Sequence, residues 1–194
     1  MTRFEYVAIF YGIVVALAIE TVLVNLHRLL AAGKRVRWHW MAPATAINAS
    51  LVTLGEFWIL WGDRDQWKGS YSFFQFLPFA IALFLMFLSA AATLPDEIPE
   101  EGLDLKVYYF DHRRHYWGLV AAYFGFNLVL NMAGQLGLGT NANWQESMRW
   151  LVGDIVGVTV AAVLIIFRAT WVHVVGIILA LLLLLLFLSS IQFS

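Results

Sequence analysis

The sequence predicts an all-α polytopic membrane protein: a bundle of six transmembrane helices forming one domain over residues 1–194. Three observations predict it. The chain is 61% hydrophobic and only 13% charged, well beyond the usual balance of a soluble domain. Its mean hydropathy is +0.75. Its apolar runs match the ~20 residues a helix needs to cross a bilayer core, and they recur from end to end with short polar interruptions.

The first span is expected at about 5–30. The apolar run over 7–30 is too long for the core of a cleavable signal and lacks a small-residue cleavage site, so it reads as a membrane helix. Thr2 and Glu5 have capping-box spacing, in which each side chain satisfies a free backbone donor. The second span is expected at 40–62, with Pro43 in its first turns. The third, at 71–94, carries an internal Pro78 that should kink it, and Pro95 and Pro99 end it.

The only sizeable loop follows, over 95–114. Its first half is acidic, with Asp96, Glu97, Glu100, Glu101 and Asp104. The stretch 103–116 mixes Val107, Tyr108, Tyr109 and Phe110 with Lys106, Arg113 and Arg114. It reads either as an interfacial amphipathic segment or as a solvated connector. Spans four, five and six are expected at 114–135, 145–168 and 171–191. Asn143 with Glu146 marks a helix start for the fifth.

Basic residues near helix ends set orientation. Arg28, Lys34, Arg35, Arg37, Lys106, Arg113, Arg114 and Arg168 fall on one side, eight of the 12 Lys and Arg. Arg3, Arg64, Lys68 and Arg149 fall on the other. The richer side is therefore expected to be cytoplasmic, with both termini on the non-cytoplasmic side of a bacterial inner membrane. Trp38, Trp40, Trp61, Trp67, Trp117, Trp144, Trp150 and Trp171 sit near the expected span ends, as an aromatic belt requires.

The halves also admit a 3+3 inverted repeat. Residues 12–16 align with 118–122, Leu51-Val52 with Leu151-Val152, and Phe87-Leu88-Ser89 with Phe187-Leu188-Ser189. Asn25 and Asn131 follow the aligned glycines Gly12 and Gly118 at equal distance. Three spans per half would place the halves in opposite senses, an arrangement common in transporters. Chance similarity between Leu-rich segments explains the same matches.

Ionisable groups at membrane depth are costly and usually face a bundle interior. Glu20, Glu56 and Asp154 qualify, and all three are expected to point inward. Glu20 shares a helix face with His27, and Glu56 shares an arc with Thr45, Asn48 and Thr53. Tyr123, Asn127, Asn131 and Gln135 recur at steps of four along span four, the clearest polar stripe in the chain. Asp154 is close enough to Arg149 for an ion pair. Such groups either line a hydrated path or hold the helices together by hydrogen bonds. Gly153 and Gly157, extended by Ala161, make a small-residue face for packing within the bundle or between copies. Span six has no polar residue between His173 and Ser189 and is expected to face lipid.

His27, His39, His112, His115 and His173 all fall near the expected cytoplasmic ends. They suggest a metal site, a haem site or a pH sensor, or simply polar tips kept wet at an interface. For metal or haem the candidates are His27, His112, His115 and His173, with His27 and His173 the one pair suited to haem. His112-Arg113-Arg114-His115 resembles one histidine box of the membrane di-iron desaturases and hydroxylases, whose pattern uses several boxes where this chain has one.

Other chemistry is excluded on specifics. The chain has no cysteine, so disulfides and thiol catalysis are absent, and a net charge of −1 gives no footprint for nucleic acid. There is no phosphate loop, no HExxH, no serine in span four for a rhomboid-type protease and no lysine in a span for retinal. No cofactor and no enzymatic activity are assigned. The expected function is a small channel or transporter for protons or cations, using Glu20, Glu56, Asn127, Asn131 and Asp154. One alternative is a non-catalytic subunit or assembly factor of a larger membrane complex. A second is a haem- or metal-binding membrane protein. Expected partners are membrane lipids and either further copies of the chain or other membrane subunits.

Overall fold

The structure, a computed structural model, describes residues 3–62, 73–133 and 144–190. It is all-α, with helices α1 (Arg3–Ala32), α2 (Met41–Gly62), α3 (Phe73–Ala91), α4 (Leu105–Ala133), α5 (Trp144–Ile166) and α6 (Thr170–Ser190). Five of the six fall within a few residues of the expected spans. Pro43 lies in the first turn of α2 and Pro78 inside α3. Thr2, Asn143 and Gln135 lie outside the described residues.

The exception is α4, which starts at Leu105 rather than 114. Asp104 explains the early start. Its Oδ1 accepts from the backbone N–H of Lys106 at 2.8 Å and of Val107 at 3.2 Å, an N-cap. Leu105, Tyr109, Arg113, Tyr116 and Trp117 are then buried at helical spacing. The mixed stretch after the acidic loop is thus the first two turns and more of α4 itself.

A second feature joins the end of α1 to the start of α4. Strand β1 (Val36–Arg37) pairs in parallel with β2 (Leu103–Asp104), Val36 opposite Leu103 and Arg37 opposite Asp104. Arg37 adds an ion pair to Asp104 at 3.3 Å. Gly102, just before β2, has φ +99°, and a Cβ there would lie 2.8 Å from the Arg35 carbonyl oxygen, so only glycine fits.

The most extensive helix contact is α4 on α5; α1 packs on both α2 and α3, and α6 leans on α2 and α5. The repeat suggested by sequence would require α4 to meet α6 as α1 meets α3. Instead, the described α4–α6 contacts gather where Tyr109 and Phe110 meet His173. Packing therefore does not follow a 3+3 symmetry.

Among the described residues the interior has two apolar clusters. One, toward the β1–β2 end, centres on Leu29, Met41, Leu105, Trp117, Leu164 and Ile177. The other holds Val7, Tyr11, Val14, Leu60, Leu83 and Met86. The exterior is apolar as well. Ile9, Ile13 and Leu17 on α1, and Val175, Leu182 and Leu186 on α6, are exposed. Among the described residues two helices, α1 and α6, are long and apolar enough to cross a membrane, while α3 and α5 contain shorter apolar stretches, Phe76–Ala91 and Trp150–Ile166.

Candidate functional site

The polar stripe on α4 faces α2 and α5. Steps of four along a helix put Tyr123, Asn127 and Asn131 in one row. The Tyr123 hydroxyl donates to Glu56 Oε1 on α2 at 2.5 Å. Asn131 Nδ2 donates to Asp154 Oδ2 on α5 at 2.6 Å. Between them, Asn127 Nδ2 donates to the Tyr123 carbonyl at 3.1 Å. Tyr11 on α1 and Asp154 also lie within electrostatic reach of Tyr123. Four helices thus contribute to one cluster containing two carboxylates. Asp154 and Tyr123 are buried, and Glu56 is half-buried. The Arg149 side chain lies outside the described residues, and the described partner of Asp154 is Asn131.

Glu20 does not join this cluster. The buried stripe of α1 runs through Val7, Tyr11, Val14, Val15, Ala18, Val22, Asn25 and Leu29. Glu20 falls off that stripe and is exposed, as is His27. Both line a broad open groove of about 720 Å³ on the outer face of α1, with Ala16, Leu23, Leu54 and Phe57. The expectation that all three intramembrane carboxylates face one another is corrected for Glu20. Asn25 is the inward polar residue of α1, and its Nδ2 donates to the Leu94 carbonyl at 3.4 Å.

Thr45 and Thr53 are buried, but each hydroxyl donates to a carbonyl of its own helix, Ala42 and Ala49, both at 2.8 Å. They are satisfied locally and form no path. The paired glycines on α5 divide. A Cβ on Gly157 would lie 2.5 Å from Phe124 Cγ, so this glycine seats an aromatic ring of α4, whereas a Cβ on Gly153 meets nothing. The close-packing face is real at Gly157 and open at Gly153.

The histidines do not converge. His27, His112 and His115 are exposed, and His39 stacks on Trp40. His112 stacks on Tyr108 and donates from Nδ1 to the Tyr108 carbonyl at 3.0 Å. Among the described residues no three His, Asp or Glu side chains could share a metal ion.

His173 is fully buried and committed. Its Nε2 lies 2.9 Å from the Phe167 carbonyl, which can only accept, so Nε2 carries the proton. In the neutral ring Nδ1 then accepts from the Tyr109 hydroxyl at 2.7 Å. That hydroxyl in turn accepts from Trp117 Nε1 at 3.0 Å. Burial pushes Tyr109 up to about 12, so it keeps the proton it donates. Both imidazole nitrogens are used, which removes the His27–His173 pair as a haem ligand set. This relay was not found from sequence, because its members sit on two helices with no periodic signature.

Arg113 shares this end of the bundle. Its side chain is 4% exposed. Nη1 donates to the Phe110 carbonyl at 2.8 Å, and Nε is buried with no acceptor among the described residues. Burial, then Arg168 and Arg114 nearby, lower its proton affinity, partly offset by Tyr109 and Asp111. An isolated buried cation of this kind costs several kcal/mol unless something compensates it.

No protein-family model, curated protein or solved structure matches this chain.

Proposed function

We propose that the chain is a six-span integral membrane protein of channel or transporter type that handles protons or cations. Glu56 and Asp154 are its ion-binding carboxylates, and Tyr123, Asn127 and Asn131 link them. The observation that supports this most directly is the placement of both acids, from α2 and α5, against one polar stripe of α4 in a mainly apolar bundle. Carboxylates kept at such depth are expensive and typically mark ion or proton pathways. Along α4 the stripe from Tyr123 to Asn131 covers ~12 Å at 1.5 Å per residue, against a hydrocarbon core of ~30 Å. The basic end, carrying β1 and β2, faces the cytoplasm in this reading, and both termini lie on the other side of a bacterial inner membrane.

The test is flux into proteoliposomes that enclose a pH-sensitive dye, under an imposed membrane potential. Wild-type protein moves protons or cations, Glu56→Gln and Asp154→Asn do not, and Glu20→Gln behaves as wild type. Absence of any flux from folded wild-type protein overturns the reading.

A second reading, membership in a larger membrane complex, is favoured by the Glu20 and His27 groove on the outer face of α1. An ionisable group at that depth ordinarily meets a partner. Extraction in mild detergent then yields a particle with additional chains, and a clean monomer sinks this alternative.

A further inference from the structure

Arg113 stands apart from the carboxylate cluster. It is buried between the start of α4, the first turns of α2 and the end of α3, where it borders a small cavity with Thr45, Thr93, Tyr108, His112 and Tyr116. The cavity measures about 10 Å³, room for one oxygen-sized atom. Every polar wall residue except the arginine is neutral or a histidine. The two threonine hydroxyls already donate to the Ala42 and Ala90 carbonyls, so their protons are committed. The guanidinium Nε has no acceptor among the described residues. Arg114 and Arg168 are the neighbouring cations, and Asp111, within electrostatic reach, makes no ion pair with Arg113 among the described residues.

A buried donor with no acceptor among the described residues, and with the exposed Arg114 and Arg168 within electrostatic reach, suits an anion. We propose that Arg113 and this cavity form a phosphate-binding site, one phosphate oxygen entering beside the guanidinium while the rest of the group lies against Arg114 and Arg168. Arginine suits this role because its planar donors match phosphate oxygens. Arg113 precedes the fourth expected span, at the depth of lipid headgroups, so the phosphate comes either from an anionic lipid or from free phosphate. The chemistry is shared, and the site is independent of the proton pathway.

The test uses the full chain purified in an uncharged detergent, with thermal unfolding followed during titration. One arm adds sodium phosphate against sodium gluconate at matched ionic strength. The other adds phosphatidylglycerol against diacylglycerol, which lacks the phosphate. At tenfold excess over Kd the specific ligand raises Tm by about 3–6 °C. A response to phosphatidylglycerol alone assigns the lipid headgroup, and a response to both assigns the phosphate group as sufficient. Arg113→Gln abolishes the shift. Tyr116→Phe, which keeps the ring, weakens it and serves where Arg113→Gln does not fold. The proposal fails if neither ligand exceeds its control, or if the variant that folds responds as wild type does.

Discussion

The Tyr123 hydroxyl on α4 donates a hydrogen bond to Glu56 on α2 at 2.5 Å, tying together two helices that are far apart in sequence. Hydrogen bonds between helices in an apolar bundle are worth about 0.6 kcal/mol on average and up to about 1.7. Tyr123→Phe is therefore expected to lower stability by that amount. A double-mutant cycle with Glu56→Gln, read by unfolding in detergent, isolates the pair. Simple additivity of the two changes would show that the contact contributes nothing.

Gly157 and Gly153 give a paired test of helix packing. Gly157→Ala drives a methyl into the Phe124 ring and should cost about 1–3 kcal/mol, the usual penalty for overpacking. Gly153→Ala meets open space and should change stability by no more than about 0.5 kcal/mol. Equal losses at both positions would mean that Gly153 also packs against something, such as a second copy.

His173→Phe keeps a ring but removes both nitrogens. The buried Tyr109 hydroxyl then loses its acceptor and the Phe167 carbonyl its donor. An unmet buried polar group costs about 1–3 kcal/mol. Denaturant unfolding should show at least the lower figure, and a neutral result would mean that the relay is not formed.

Acid should loosen the end that holds β1 and β2. Burial, then Lys106, lowers the His39 imidazole below its ordinary 6.5. The unfolded chain takes up that proton first, so stability is steady above 6.5 and falls as pH drops through it. Asp104 is lowered below 3.8, first by the backbone N–H of Val107, then by Lys106 and Arg37. Its contribution is full above 3.8 and is lost as pH falls through the folded value. Thermal unfolding against pH should show the first loss removed by His39→Asn and the second by Asp104→Asn.

Hydropathy made the helices legible because each is a long apolar run bounded by prolines, charges or tryptophans. It could not give rotation about the axis. Glu20 shares a face of α1 with His27 while Asn25 lies on another, so the sequence offers two polar directions and does not say which is inward; Glu20 turns outward. The α4 stripe was legible because four polar residues, Tyr123, Asn127, Asn131 and Gln135, repeat at steps of four, and Asp154 was legible as an acid within an apolar run. The partnership of Glu56 with Tyr123 depends on how α2 lies against α4, which no local pattern encodes. The extra turns of α4 were hidden because Lys106, Arg113 and Arg114 read as loop, while Asp104 reads as a cap only once the helix behind it is known. The histidines fall near the ends of the apolar runs in the sequence, which suggested a cluster, but among the described residues they point in different directions and make none.

The short ladder between Val36–Arg37 and Leu103–Asp104 fastens the chain that leaves α1 to the chain that enters α4. Backbone bonds and a charge pair act there as a clasp. Drawing α1 away from α4 at this end would require that ladder to part, so the exit of one helix and the entry of the other are held at a fixed spacing although Val36 and Leu103 lie far apart along the chain.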